Sequence, residues 1–390
     1  MKQLALAVLL LCVLLCAGCA GRGGRGEAPA ETPAPSPAAT PEPTPTPEPT
    51  PEPTPEPVDE AERLLRKMSR EEKVAQILLY CCHDASRAGE AASSGVAGLC
   101  LYTDAFADKD AAAVRAMTDE LQAAAALPLL LAVDEEGGTV CRVSVNPALR
   151  DKPFESPANL LRSGWAAVEQ DADEKCALLQ SLGLNVILAP VADVPLGNQD
   201  YIAPRALSTD ASAVAAYVCR VVLRMNSAKM GCVLKHFPGY GGSVDTHKGS
   251  SVDERSRADF LKRDYLPFAA GIQAGAPAVL VSHITAPALF GRLPASLSSA
   301  CYQSLREDLD FTGVILCDDL VMAALADYPN AAALAAAAGC DLLCVSDYAE
   351  AQRQILAALE AGDYSQEQLD ESVLRVLRWK QALGLLPVAE

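Results

Sequence analysis

Eight apolar runs of strand length recur along the chain, segments of helical periodicity separate them, and ionisable residues stand where the runs end. Together these predict an α/β protein, a (β/α)8 barrel of the TIM type. The runs are 75–80, 96–101, 129–133, 186–189, 233–234, 279–281, 314–316 and 342–345. Each is continuous instead of alternating, as a sheet covered on both faces requires. Helical spacing marks 60–74, 110–126, 211–229 and 256–274 between or before them. A doubly wound open sheet would use the same elements and is the structural alternative.

The chain begins with Met1 and Lys2 and an apolar run from Leu4 to Ala17. At about 1.5 Å per residue such a run reaches roughly 21 Å, short of a ~30 Å hydrocarbon core, so a secretory signal is expected over a spanning helix. Leu15-Cys-Ala-Gly-Cys19 resembles a lipobox, which makes Cys19 the expected lipidation site and residues 1–19 the signal. Residues 20–59 form a linker rich in Pro, Glu and Thr. With little apolar surface to bury, it is expected to stay disordered and extended, a spacer between a membrane lipid anchor and the barrel of residues 60–390. The expected location is extracytoplasmic, facing a cell wall.

A formal net charge of −18 argues against nucleic acid as a partner, because phosphates would be repelled. Fourteen cysteines are present, three of them in the signal region. The other eleven form no CxxC pair, so buried free thiols are expected, with Cys81 and Cys82 as the reactive exceptions.

The barrel reading carries its own test, since polar chemistry should gather at the C-terminal ends of the strands. Run three leads into Asp134, run four into Asp193, run five into Lys235 and His236, run six into Ser282 and His283, run seven into Asp318 and Asp319, and run eight into Asp347. All four histidines, His83, His236, His247 and His283, follow a strand end. After run five a glycine-rich loop delivers Asp245 and His247, a pairing in which a carboxylate can fix the tautomer and orientation of an imidazole. Two chemistries fit such a mouth. One is a metal-dependent hydrolase, which calls for His-x-His at the first strand, where this chain has Cys81-Cys-His83. The other is a metal-free site in which a carboxylate attacks and an imidazole manages the proton.

Three motifs in this order resemble family 3 glycoside hydrolases, in particular the β-N-acetylglucosaminidases (β-N-acetylhexosaminidases). They are Val133-Asp-Glu-Glu-Gly-Gly138, Lys235-His-Phe-Pro-Gly239 with Asp245-x-His247, and Gly313-Val-Ile-Leu-Cys-Asp-Asp319 followed by Leu320 and Met322. The similarity runs from about Leu64 to Leu386, and no second domain is expected after the barrel. The resemblance implies Asp318 as nucleophile and His247 as general acid/base oriented by Asp245. It implies that Asp134, Arg142, Arg205, Lys235 and His236 grip the sugar, that the ligand is a GlcNAc-containing glycan, and that no metal or organic cofactor is needed. A monomer is expected.

Departures from the family pattern are also legible. Tyr240 stands where a second histidine is usual, the loop to Asp245 is one residue short, and Thr139 replaces a usual arginine. These bear on substrate choice and loop closure. They keep open a β-glucosidase, a phosphorylase using phosphate in place of water, and a lipoprotein that binds wall sugars without turning them over.

Overall fold

The computed structural model describes residues 59–387. The signal, Cys19 and the Pro-rich linker therefore lie outside the described residues. Eight parallel strands close into a barrel: β1 (Leu78–Cys82), β2 (Gly98–Leu101), β3 (Leu130–Val133), β4 (Val186–Ile187), β5 (Gly231–Phe237), β6 (Ala278–Val281), β7 (Val314–Cys317) and β8 (Leu342–Val345). Each pairs with its sequence neighbours, and β8 returns to β1 with Leu78 opposite Leu343. The open-sheet alternative is thereby ruled out.

Alternate residues of each strand face opposite ways. Leu79, Cys81, Cys100, Leu130, Ala132, Val233, Leu280, Leu316 and Cys344 belong to one buried cluster inside the barrel. Their neighbours, Leu78, Tyr80, Leu99, Leu131, Leu234, Val279, Ile315 and Leu343, pack outward in a second cluster shared with the helices. Both faces are thus apolar, which is why the strands read as unbroken runs. Val376 and Trp379 of the helix Gln366–Ala382 join the interior cluster and close the barrel at the N-terminal ends of its strands.

The predicted elements exist, with shifted ends. The first helix splits into Glu60–Lys67 and Arg70–Ala75 because Ser69 starts a new helix with a capping box: its hydroxyl accepts the Glu72 amide at 3.2 Å and Glu72 accepts the Ser69 amide at 2.7 Å. Ala75, placed in a strand from the sequence, ends that helix. The 256–274 segment also divides, into Arg257–Lys262 and Tyr265–Gln273. Pro267 is the third residue of the second helix, where no intrahelical amide is needed; in an unbroken helix it would remove a hydrogen bond. Strand β5 is longer than its apolar run, continuing through Lys235 and His236 to Phe237.

Lys380 is fully buried near the closed end of the barrel, and its ammonium donates to Gln76 Oε1 at 2.8 Å. Burial pulls its pKa down to about 7. In the unfolded chain the amine titrates near its ordinary ~10.4, so the unfolded state binds the extra proton between these values and stability rises with pH across that window. Lys380→Met should therefore stabilise the protein most below pH 7. The Tm difference from the parent should shrink toward pH 10, where the unpaired Gln76 carbonyl becomes the remaining effect. Thermal melts of both proteins from pH 6 to 10 check this, and a pH-independent difference would contradict it.

Candidate active site

The interior row of each strand does not stop where the strand stops. Two residues beyond Ala132 stands Asp134, beyond Val233 Lys235, beyond Leu316 Asp318, beyond Cys81 His83, and beyond Cys100 Tyr102. All five line one cavity of about 660 Å³, with Arg142, Arg205, His236, Tyr240, His247 and Asp319. Lys235 and His236 are adjacent, and side chains of adjacent strand residues normally point apart. Here the register against β6 slips, Lys235 facing Leu280 but Phe237 facing Val281, so β5 bulges and both side chains reach the cavity.

Of the eight residues singled out for catalysis or sugar binding, seven line this cavity: Asp134, Arg142, Arg205, Lys235, His236, His247 and Asp318. Asp245 stands just behind, its Oδ1 at 2.8 Å from His247 Nδ1 and at 3.1 Å from the His247 amide. The remaining strand-end residues sort differently. Asp193 is buried under the floor, accepting from His236 Nδ1 at 2.7 Å and from the Tyr240 amide at 2.7 Å. His283 is buried between Ser296 Oγ (2.7 Å) and the Asp319 carbonyl (3.0 Å), so it supports the β7 loop instead of facing the cavity. Asp347 caps the helix Tyr348–Ala361, accepting the Glu350 amide at 3.0 Å.

The carboxylates of the cavity divide into engaged and free. Asp134 accepts from Lys235 Nζ at 2.6 Å. Asp319 takes Ser346 Oγ at 2.7 Å, His83 Nε2 at 3.2 Å and the Val321 amide at 3.2 Å. Asp318 receives only the Asp319 amide, at 3.0 Å to Oδ1, and among the described residues it forms no ion pair. His236 is fully engaged: a guanidinium only donates, so Arg205 Nη2 at 3.1 Å makes Nε2 the acceptor and leaves the ring proton on Nδ1 toward Asp193. Its ring thus holds Arg205 in place.

Residues 69–379 match the Glycosyl hydrolase family 3 N terminal domain. The chain belongs to glycoside hydrolase family 3. A "Beta-hexosaminidase" of Stenotrophomonas maltophilia (strain K279a) is 35% identical over 266 residues, covering 64% of this chain and 76% of the relative. A protein of the same name from Xylella fastidiosa (strain M23) is 36% identical over 258 residues, with the same coverage. Among solved structures, M tuberculosis LpqI superposes with a TM-score of 0.75 at 29% identity, over 83% of this chain and 96% of that one. A family 3 β-N-acetylglucosaminidase from Paenibacillus sp. str. FPU-7 gives 0.76 at 28% identity, over 83% of this chain and 64% of that longer one.

One buried carboxylate beside the cavity of this glycosidase has no role in the sequence reading. Glu136 is buried and pairs with Lys235 Nζ at 2.5 Å and with Arg205 at 2.7 and 2.9 Å. Burial acts to raise its carboxyl, but Lys235 and Arg205 outweigh burial and hold it well below the ordinary range. Burial acts to lower both cations, but Asp134 and then Glu136 raise Lys235, and Glu136 raises Arg205, above their ordinary ranges. No signal in the sequence separates Glu136 from Glu135, which turns away and accepts the amides of Arg142 (2.9 Å) and Val143 (2.8 Å).

The cysteine expectation needs one correction. The eleven cysteines of the described residues are free, and all but Cys219 are buried. Cys81 and Cys82 are no exceptions: a hydrogen bond with Cys344 and burial raise the Cys81 thiol well above its usual range, and burial pushes Cys82 up to about 11. Neither is an activated thiolate. Among the described residues no group of three His, Cys, Asp or Glu side chains converges as a metal site requires.

Glu136→Gln would keep the shape and remove the charge shared by two buried cations. We expect a loss of roughly 3–5 kcal/mol in urea unfolding, as for other broken buried pairs. An unchanged midpoint would show that Asp134 and solvent suffice for Lys235 and Arg205.

Proposed function

We propose that the enzyme is a retaining exo-β-N-acetylglucosaminidase, with Asp318 as nucleophile and His247, oriented by Asp245, as general acid and base. The observation that carries this reading is the contrast at the end of β7. Among the described residues Asp318 is an unpaired carboxylate in the cavity that His247 also lines, whereas the adjacent Asp319 is tied to Ser346, His83 and a backbone amide. The names of the relatives support the substrate class.

In the first step Asp318 attacks the anomeric carbon while the glycosidic oxygen takes the proton from His247 Nε2, giving a glycosyl ester and the free aglycone. In the second, the neutral ring removes a proton from water as it attacks that ester, and Asp318 is released. His247 suits the task through its contacts: Nδ1 is held by Asp245, leaving Nε2 for the leaving group, and the side chain is 61% exposed toward the mouth where an aglycone departs. Burial acts to raise the Asp245 carboxyl, but hydrogen bonds from His247 outweigh it and keep the group below its usual range. That carboxylate fixes the orientation of the ring. Arg142, Asp134, Lys235 and Arg205, the last held by Glu136 and His236, supply donors and acceptors for sugar hydroxyls. The lipobox at Cys19 and the linker would tether this chemistry outside the cytoplasm, where GlcNAc-containing fragments of peptidoglycan or chitooligosaccharides are the expected substrates.

Turnover of an aryl N-acetyl-β-glucosaminide tests the reading. Asp318→Asn should lower kcat roughly a thousandfold or more, in line with loss of a covalent nucleophile. His247→Ala should lose ~10²–10⁴ on poor leaving groups and far less on activated ones. Equal losses on both would reject the acid role, and faster turnover of the glucoside, or a requirement for phosphate, would replace the assignment.

A further inference from the structure

The loop that carries Asp245 and His247 is exposed at Gly242, Val244, His247, Lys248 and Ser250, with Val244 62% accessible. The residue between the dyad members is the opposite: Thr246 is fully buried and held at two points. Its hydroxyl lies 2.6 Å from the phenol of Tyr240, itself buried at the base of the loop. Its carbonyl accepts the Ala324 amide at 3.2 Å, from the segment that follows Asp318. Tyr240 is anchored in turn, because its amide donates to Asp193 at 2.7 Å and its ring stands edge-on to His236 at 5.1 Å. Asp193 therefore fixes both the imidazole that holds Arg205 and the tyrosine that holds Thr246.

We propose that Tyr240 and Thr246 form a clamp that positions the Asp245–His247 dyad in the cavity before any sugar is bound, and that Tyr240 is a positioning residue for proton transfer. This rests on the acid/base assignment of His247 for its kinetic consequence, not for its structural one. Asp245 and His247 flank Thr246 directly, so a fixed Thr246 limits where both can stand. The amide of Ala324 ties that position to the same β7 loop that presents Asp318. Acid catalysis falls steeply with misplacement of the donor, whereas attack on a sugar with a good leaving group scarcely needs it.

Tyr240→Phe and Thr246→Val each delete one hydroxyl with little change of shape, and Thr246→Ser keeps the hydroxyl. The clamp predicts faster hydrogen–deuterium exchange across residues 241–251 in the first two, with barrel strands unchanged and Thr246→Ser close to the parent. It predicts that kcat/KM on an alkyl N-acetyl-β-glucosaminide falls roughly 10- to 100-fold, against about threefold or less on the dinitrophenyl glycoside. The double variant should be no worse than either single one, since both remove the same bond. Unchanged exchange would overturn the clamp. Faster exchange with equal losses on the two substrates would also overturn it, leaving Tyr240 a purely structural residue. If the parent turns over neither substrate, the proposed function fails, while the exchange measurement still decides whether the clamp exists.

Discussion

A closed parallel sheet lets each strand present only every second residue to its interior, and this parity organises the protein. The interior positions are apolar along the length of the barrel and turn polar one period after the last of them. Asp134, Lys235 and Asp318 are the next members of rows that begin with Leu130, Val233 and Val314. Beyond the barrel the two glutamates after Asp134 still turn opposite ways: Glu135 to the amides of Arg142 and Val143, Glu136 to Lys235 and Arg205. Where two neighbouring side chains are both needed, the backbone breaks the rule locally: the bulge at Lys235–Phe237 admits His236 beside Lys235.

Burying this much charge has to be compensated at close range, because solvent cannot do it. Lys235 and Arg205 meet at Glu136, Lys235 also meets Asp134, and His236 joins Arg205 to Asp193. The pattern is one of fixed donors and acceptors, each with a partner that sets its direction. Within it Asp318 is distinctive: at the end of β7 it is a cavity carboxylate that forms no ion pair among the described residues. Its neighbour Asp319, identical in chemistry, is used to join the loops of β1, β7 and β8 through His83 and Ser346.

Much of this was legible in the amino-acid sequence because the barrel's constraints are periodic. Unbroken apolar runs such as 342–345 marked strands buried on both faces, and the order of polar residues after them marked the mouth. Boundaries were less legible. The break at Ser69 and the restart before Pro267 depend on caps and on one missing amide, signals that a broad helical period overrides. Site roles blurred for a different reason. Asp347, His283 and Asp193 are of the same residue types as Asp318 and His247 and also follow strands, and only three-dimensional contacts separate a helix cap, a loop support and an imidazole anchor from side chains that line the cavity. Glu136 is indistinguishable in the sequence from Glu135 beside it, and only the contacts show that it is the acid that meets both Lys235 and Arg205.

The central claim is that Asp318 makes and breaks the bond to the sugar, and trapping that bond tests it most directly. The parent enzyme is incubated with a fluorinated N-acetylglucosaminyl substrate whose ester hydrolyses slowly, then digested and analysed by mass spectrometry. The account predicts one added glycosyl mass on the peptide that contains Asp318, localised to that residue by fragmentation. A label on Asp319, Asp134 or another carboxylate, or steady turnover with no covalent adduct, would contradict it.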